Sequence, residues 1–149
     1  MSLPYENATS GDKALGDIQK LLRQFGCKKF GSFIDEDEQI LTVQFVHRGK
    51  TVSIPASMRG YAAAWLQAHP YTSRMKKTKV EHERQALEKA SVAVYSVVRD
   101  WVKANVTLVE TGIMSFEGAF LGQILLPNGQ TILDYAQRQD LLPGPEDAE

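Results

Sequence analysis

No glycine or proline interrupts residues 79–111, and this stretch constrains the fold more than any other. Leu87, Ala90, Val94, Val97, Val98, Trp101 and Leu108 recur within it at three- and four-residue steps, the spacing of one face of a 3.6-residue helix. Gly112 follows as the stop, because glycine takes the left-handed conformation that helix C-termini favour. Such a helix measures about 50 Å at ~1.5 Å per residue, whereas a compact domain of this chain length has a radius of gyration of only about 15 Å. The helix is therefore expected to overhang its domain, to bend, or to continue into a partner. Its C-terminal half also carries Val92, Ala93, Val102, Val106 and Val109, so it is apolar over more than one stripe and needs cover on several sides. A strand, the first helix and the C-terminal segment can supply that cover within one chain. A twin helix in a homodimer can supply it as well.

The remaining segments provide the neighbours. Residues 1–11, with Pro4, Asn7, Thr9, Ser10 and Gly11, read as a flexible lead-in. Ala14, Leu15, Ile18, Leu21, Leu22 and Phe25 then form the stripe of a first helix, capped by Asp12 and stopped by Gly26. The period next changes from helical to alternating. Phe30, Phe33 and Ile34 mark a first strand, and the acidic run Asp35-Glu36-Asp37-Glu38 is its turn. Ile40 to His47 makes a second strand with Val43 and Phe45 on the buried face, Arg48-Gly49-Lys50 turns the chain, and residues 51–54 return as a third strand ended by Pro55. These three strands predict an antiparallel meander.

Ser57 caps a second helix with Tyr61, Ala64, Trp65 and Ala68 along one side, and Pro70 terminates it. After the long helix, Ser115 caps a short helical piece over 115–121 with Glu117 in its first turn, and residues 124–126 form a brief strand. Pro127-Asn128-Gly129 is a turn, and Thr131 caps a last helix reaching Gln139. The expected class is α+β in a single domain over 1–149, with an α-β-β-β-α unit over 12–70, a basic connector over 71–79 and the long helix over 80–112. A C-terminal strand/helix appendage over 113–140 and a solvated tail over 141–149 complete it.

Several chemistries lack their residues. The single cysteine, Cys27, rules out an internal disulfide framework and suits a reducing compartment. The first residues are too polar for a signal peptide and no apolar run approaches the roughly 20 residues of a membrane span, so a cytoplasmic protein with no membrane association is expected. None of His47, His69 and His82 has a second ligand at metal-binding spacing. The acidic turn lacks the spacing of a calcium loop, and no glycine-rich phosphate loop follows a strand. Lys28 and Lys29 can lower the Cys27 pKa, yet no Cys-His-Asn arrangement accompanies it. The expectation is no enzyme, no metal and no cofactor.

Positive charge is the remaining signal. The net charge of −1 conceals an asymmetry: residues 1–80 hold 12 Lys or Arg against 7 Asp or Glu, and residues 81–149 hold 5 against 11. Lys28 and Lys29 precede the first strand, His47, Arg48 and Lys50 form a hairpin tip, Arg59 opens the second helix, and Arg74, Lys76, Lys77 and Lys79 make up the connector. If meander and connector share a side, these groups line a groove, with Tyr61 or Tyr71 available to stack on bases. That arrangement suits DNA or RNA binding with little sequence preference. The competing reading is a set of solvated charges offset by neighbouring acids. No helix-turn-helix, zinc-finger or RNA-recognition strand motif is present.

Three blocks carry a resemblance: residues 60–66 (GYAAAWL), 98–103 (VRDWVK), and 110–121 (ETGIMSFEGAFL) through 126–131 (LPNGQT). Together they resemble small bacteriophage and prophage proteins of unassigned activity. The resemblance spans most of the chain beyond residue 12 and brings no catalytic or binding residues. It implies a setting in a bacterial host cytoplasm, in phage DNA metabolism or in interference with the host. Two functions follow as expectations: an accessory nucleic-acid-binding protein, or an interaction module that inhibits a host protein and assembles through the long helix.

Overall fold

The computed structural model describes residues 2–145. Its elements are α1 (Gly11–Gln24), β1 (Lys29–Asp35), β2 (Ile40–His47), β3 (Lys50–Ser57), α2 (Met58–Ala68), α3 (Lys79–Glu110), α4 (Phe116–Phe120), a 3₁₀ turn (Leu121–Gln123) and α5 (Ile132–Arg138). The class is α+β around a long central helix, as expected. The strands form an antiparallel sheet in the order β1-β2-β3. Of the tail expected over 141–149, residues 146–149 lie outside the described residues.

Side-chain caps set most helix starts. Ser57, Ser115 and Thr131 accept backbone N–H bonds from Gly60, Gly118 and Asp134, each satisfying a donor that the first helical turn leaves without a partner. Thr78 begins α3 with a capping box: it accepts from the Glu81 N–H, and the Glu81 carboxylate accepts from the Thr78 N–H. The cap of α1 differs from expectation. Ser10 supplies it, accepting from the Lys13 N–H, and Asp12 lies inside the first turn, where its charge still favours the helix N-terminus.

β3 runs through Pro55 instead of ending there. Pro55 pairs with Thr42, and β3 is an edge strand, where proline's missing N–H can face away from the ladder. The brief strand expected over 124–126 is reduced to isolated bridges, Val52 to Ile124 and Leu125 to Thr131.

Leu41, Val43, Phe45, Val52 and Ile54 bury one sheet face against the helices. On α2 the buried stripe is Met58, Ala62 and Trp65; of the expected side, Trp65 is buried and Tyr61 packs half-buried against the core. Within α3 the buried positions run from His82 to Val106, covered by α1 and α2 along its flanks. Small side chains at Ala86, Ala90 and Ala93 let the neighbouring elements approach closely. The large apolar residues that α3 leaves exposed are Val80 and Val97. One chain thus covers most of the helix's apolar surface by itself. Among the described residues, no helix is long and apolar enough to cross a membrane.

The lead-in is tied down at several points. Tyr5 donates to Asp100 at 2.5 Å, Tyr61 donates to the Pro4 carbonyl at 2.7 Å, and Glu6 meets His69 at 3.0 Å. The Leu3 N–H, which donates to the Glu6 carboxylate, is the first cause that lowers the Glu6 pKa, and His69 adds to it.

Candidate nucleic-acid interface

The strand register gathers part of the predicted basic set. Lys29 pairs with Val46, and His47 pairs with Lys50 across a two-residue turn. The start of β1, the end of β2 and the start of β3 therefore share one end of the sheet, with Lys28 preceding β1. Four of the expected cations, Lys28, Lys29, Arg48 and Lys50, lie at that end, with Lys29 on the outer face beside Val46 and Lys50 on the face it shares with His47. The turn residues Arg48 and Gly49 both have positive φ, 52° and 79°, the twist that tight hairpins favour.

An aromatic cluster supports this end from below. His47 stacks on Phe25 with centroids 4.0 Å apart and planes within 5°, and Phe116 lies 5.0 Å away. Phe120 sits between Phe45 and Trp101 at 5.5 and 5.7 Å, which joins α4 to the sheet and to α3. That docking brings Glu117 to Lys50, 3.1 Å apart. Among the described residues, Lys28, Lys29 and Arg48 make no ion pair, so of the four cations at the sheet end only Lys50 is paired with a carboxylate.

A fifth cation joins them. Arg23, in the last turn of α1, stands over the Phe30 ring at 5.2 Å, a cation–π geometry. The sequence carried a faint signal for it, since a basic residue in a last turn complements the helix dipole, but its meeting with Phe30 depends on how α1 docks.

The other predicted cations lie elsewhere. Arg59 holds the opposite end of the sheet, donating to the Asp37 carbonyl at 2.7 Å and facing Glu38 at 3.9 Å. β2, eight residues long, spans about 25 Å between the two ends. Arg74, Lys76 and Lys77 precede α3 and Lys79 opens it, whereas the aromatic cluster under the basic end contains Phe116, which follows it. α3 has 32 residues, about 48 Å of helix. Lys77 is half-buried and donates to Gln85. Meander and connector therefore do not form one groove. The two tyrosine hydroxyls are engaged within the chain: Tyr61 donates to the Pro4 carbonyl, and Tyr71 donates to the Lys77 carbonyl at 2.8 Å.

At Cys27 and His47, burial outweighs the neighbouring charges. Burial pushes the Cys27 thiol up to about 11, so its flanking lysines do not activate it. Burial is also the main cause that lowers the His47 pKa, with Arg48 and Lys50 adding to it, and its Nε2 is buried without a partner. His82 is buried, and its Nε2 donates to the His69 carbonyl at 2.6 Å, which ties α2 to α3. Among the described residues, no group of three or more His, Cys, Asp or Glu side chains is disposed to hold a metal ion.

Comparison with known proteins finds no matching family model, no similar curated protein and no matching solved structure.

Proposed function

We propose that this chain is a non-enzymatic nucleic-acid-binding protein that engages phosphates with the basic end of its sheet, through Lys28, Lys29, Arg48 and Lys50. The observation that carries this reading is the register, which brings cations from separate sequence segments to one end of the sheet, where Lys50 alone is paired with a carboxylate, that of Glu117. Charge aimed at phosphates positions a polymer without reading its bases, which accounts for binding with little sequence preference. Arg48 adds support. It occupies a turn position with φ of 52°, where Asn or Gly is less strained, so a long cation is held there at a conformational cost. The connector cations act as a separate patch that draws the polymer in at longer range. The resemblance to phage proteins sets this activity in phage DNA metabolism within a bacterial host.

The test is fluorescence anisotropy of labelled oligonucleotides at about 50 and 200 mM salt, which bracket the range where phosphate contacts reveal themselves. Binding at micromolar concentration or below, weakening steeply with salt and abolished by the triple change Lys28→Glu, Lys29→Glu and Arg48→Glu, is expected. Absence of salt-dependent binding, or an unaffected triple variant, refutes the reading.

One observation favours a second function, interaction with a host protein. Ile113, Met114, Leu121, Leu133 and Tyr135 are exposed in the C-terminal appendage, and Leu141 just beyond it, a dense set of large apolar side chains in one stretch. On this reading the appendage, more than α3, makes the contact. A stoichiometric protein partner retained from nuclease-treated host lysate, and lost with Leu121→Asp, is the expected result.

A further inference from the structure

Residues paired across antiparallel strands share a face. Phe30, Ser32 and Ile34 therefore lie with Phe45, Val43 and Leu41 on the core side, while Lys29, Gly31 and Phe33 lie with Val46, Gln44 and Thr42 on the other. β3 adds Thr51, Ser53 and Pro55 to that outer face. A groove of about 250 Å³ opens on it, lined by Lys29, Gly31, Phe33, Gln44, Val46 and Thr51. Its volume is about eight times the ~30 Å³ share of a water molecule in the liquid, room for a flat ring system.

Three features of the groove are unexplained by folding. Gly31 is the first. It lacks a positive φ, and a Cβ placed on it would meet no atom within 4 Å, so neither backbone conformation nor packing requires glycine. Glycine inside a strand costs stability and marks a place where a ligand or another backbone comes close. Phe33 is the second, a large aromatic side chain 55% exposed at the groove wall. Gln44 is the third. Its amide donates to Ser53 Oγ at 3.1 Å, which fixes the side chain and leaves its carbonyl oxygen and second N–H to meet a polar edge.

We propose that this groove takes one unstacked nucleobase, so that the ligand class is single-stranded nucleic acid; the proposal rests on the phosphate-binding role of the neighbouring sheet end. The base lies over Gly31, stacks on Phe33 and meets Gln44 along its edge. Lys29 lies four residues from Phe33 on the same strand face, about 13 Å away, and takes the backbone phosphate of the same strand. A duplex keeps its bases stacked inside and cannot present one to a sheet face. Charge complementarity selects this occupant, because Lys29 and the other cations at this end of the sheet offer a polyanion its countercharge; two-fold pairing of β1 edges, which sets Lys29 toward its twin's Asp35, is the competing outcome of the test.

The experiment compares single-stranded and duplex DNA of one sequence by anisotropy, with wild type, Gly31→Val and Phe33→Ala. Valine at position 31 has open space and suits a strand, so that variant folds, and Phe33→Ala tests the same groove without filling it. Wild type is expected to prefer the single strand by about tenfold or more, and both variants to lose about that factor on single strand alone, with duplex affinity unchanged. Equal wild-type affinity for both forms, or variants that keep the preference, overturns the inference and leaves the phosphate reading standing. A change in sedimentation with unchanged binding also overturns it, in favour of strand pairing between copies. No salt-dependent binding to either form overturns both.

Discussion

Replacing Glu117 by Gln should tighten nucleic-acid binding. The Glu117 carboxylate lies 3.1 Å from Lys50 Nζ, and the side chains of Lys50 and Glu117 are 43% and 52% exposed. Its pKa is held down first by its own backbone N–H and then by Lys50. Exposed pairs contribute little to stability, so the variant should melt at the wild-type temperature. Binding is another matter, because Lys50 loses its competitor for phosphate. One added phosphate contact steepens the slope of log K against log salt by about 0.7 for a single strand and about 0.9 for duplex. At ~0.1 M salt those slopes correspond to roughly fivefold and eightfold tighter binding. Anisotropy titrations across a salt series measure both quantities, with a circular-dichroism melt as the control. The double change Lys50→Gln and Glu117→Gln should behave like Lys50→Gln alone, since the gain acts through Lys50. Unchanged slope and affinity in a variant that melts normally would refute the idea that this sheet end faces the phosphates.

Phe120 is fully buried against Phe45, Trp101 and Phe116; Phe120→Ala should cost about 3–5 kcal/mol in urea unfolding followed by tryptophan fluorescence, and a loss below about 1 kcal/mol would mean that α4 is held by something else. With its pKa at about 11 and the side chain buried, Cys27 should react with a thiol reagent at pH 8 only as fast as the protein opens, so rapid labelling of the native protein would contradict the burial. The folded pKa of His47 lies below its ordinary 6.5, so the unfolded chain takes up the proton first: this group's contribution to stability is present above about pH 6.5 and lost as pH falls through the folded value. Denaturation at stepped pH should show a shallower decline for His47→Phe over that weakly acidic window, and an identical decline would rule His47 out as its source.

Much of the fold was legible because its signals are local. Ser57, Ser115 and Thr131 each bond a backbone N–H three residues ahead, so a cap can be read from a few adjacent letters, and the change from helical to alternating period in residues 25–54 marks the meander without reference to anything distant. Errors arose where neighbours compete or compensate. Ser10 displaced Asp12 as the cap of α1 because only one of them sits outside the first turn, and Pro55 stayed within β3 because that strand forms an edge.

The candidate site divides the same way. Its residue types were visible in the chain, and a meander with tight turns puts Lys29, Arg48 and Lys50 at one end of the sheet. Tertiary structure decided the rest. It sent Arg59 to the far end of the sheet and the connector to the far end of α3, brought Arg23 to Phe30 and Glu117 to Lys50, and left Gly31 and Phe33 on an uncovered face. Sequence periodicity says that a strand has two faces and a helix has a buried stripe. Which face the helices cover, and which charges then meet across it, is set by contacts between segments tens of residues apart, where no local pattern reaches.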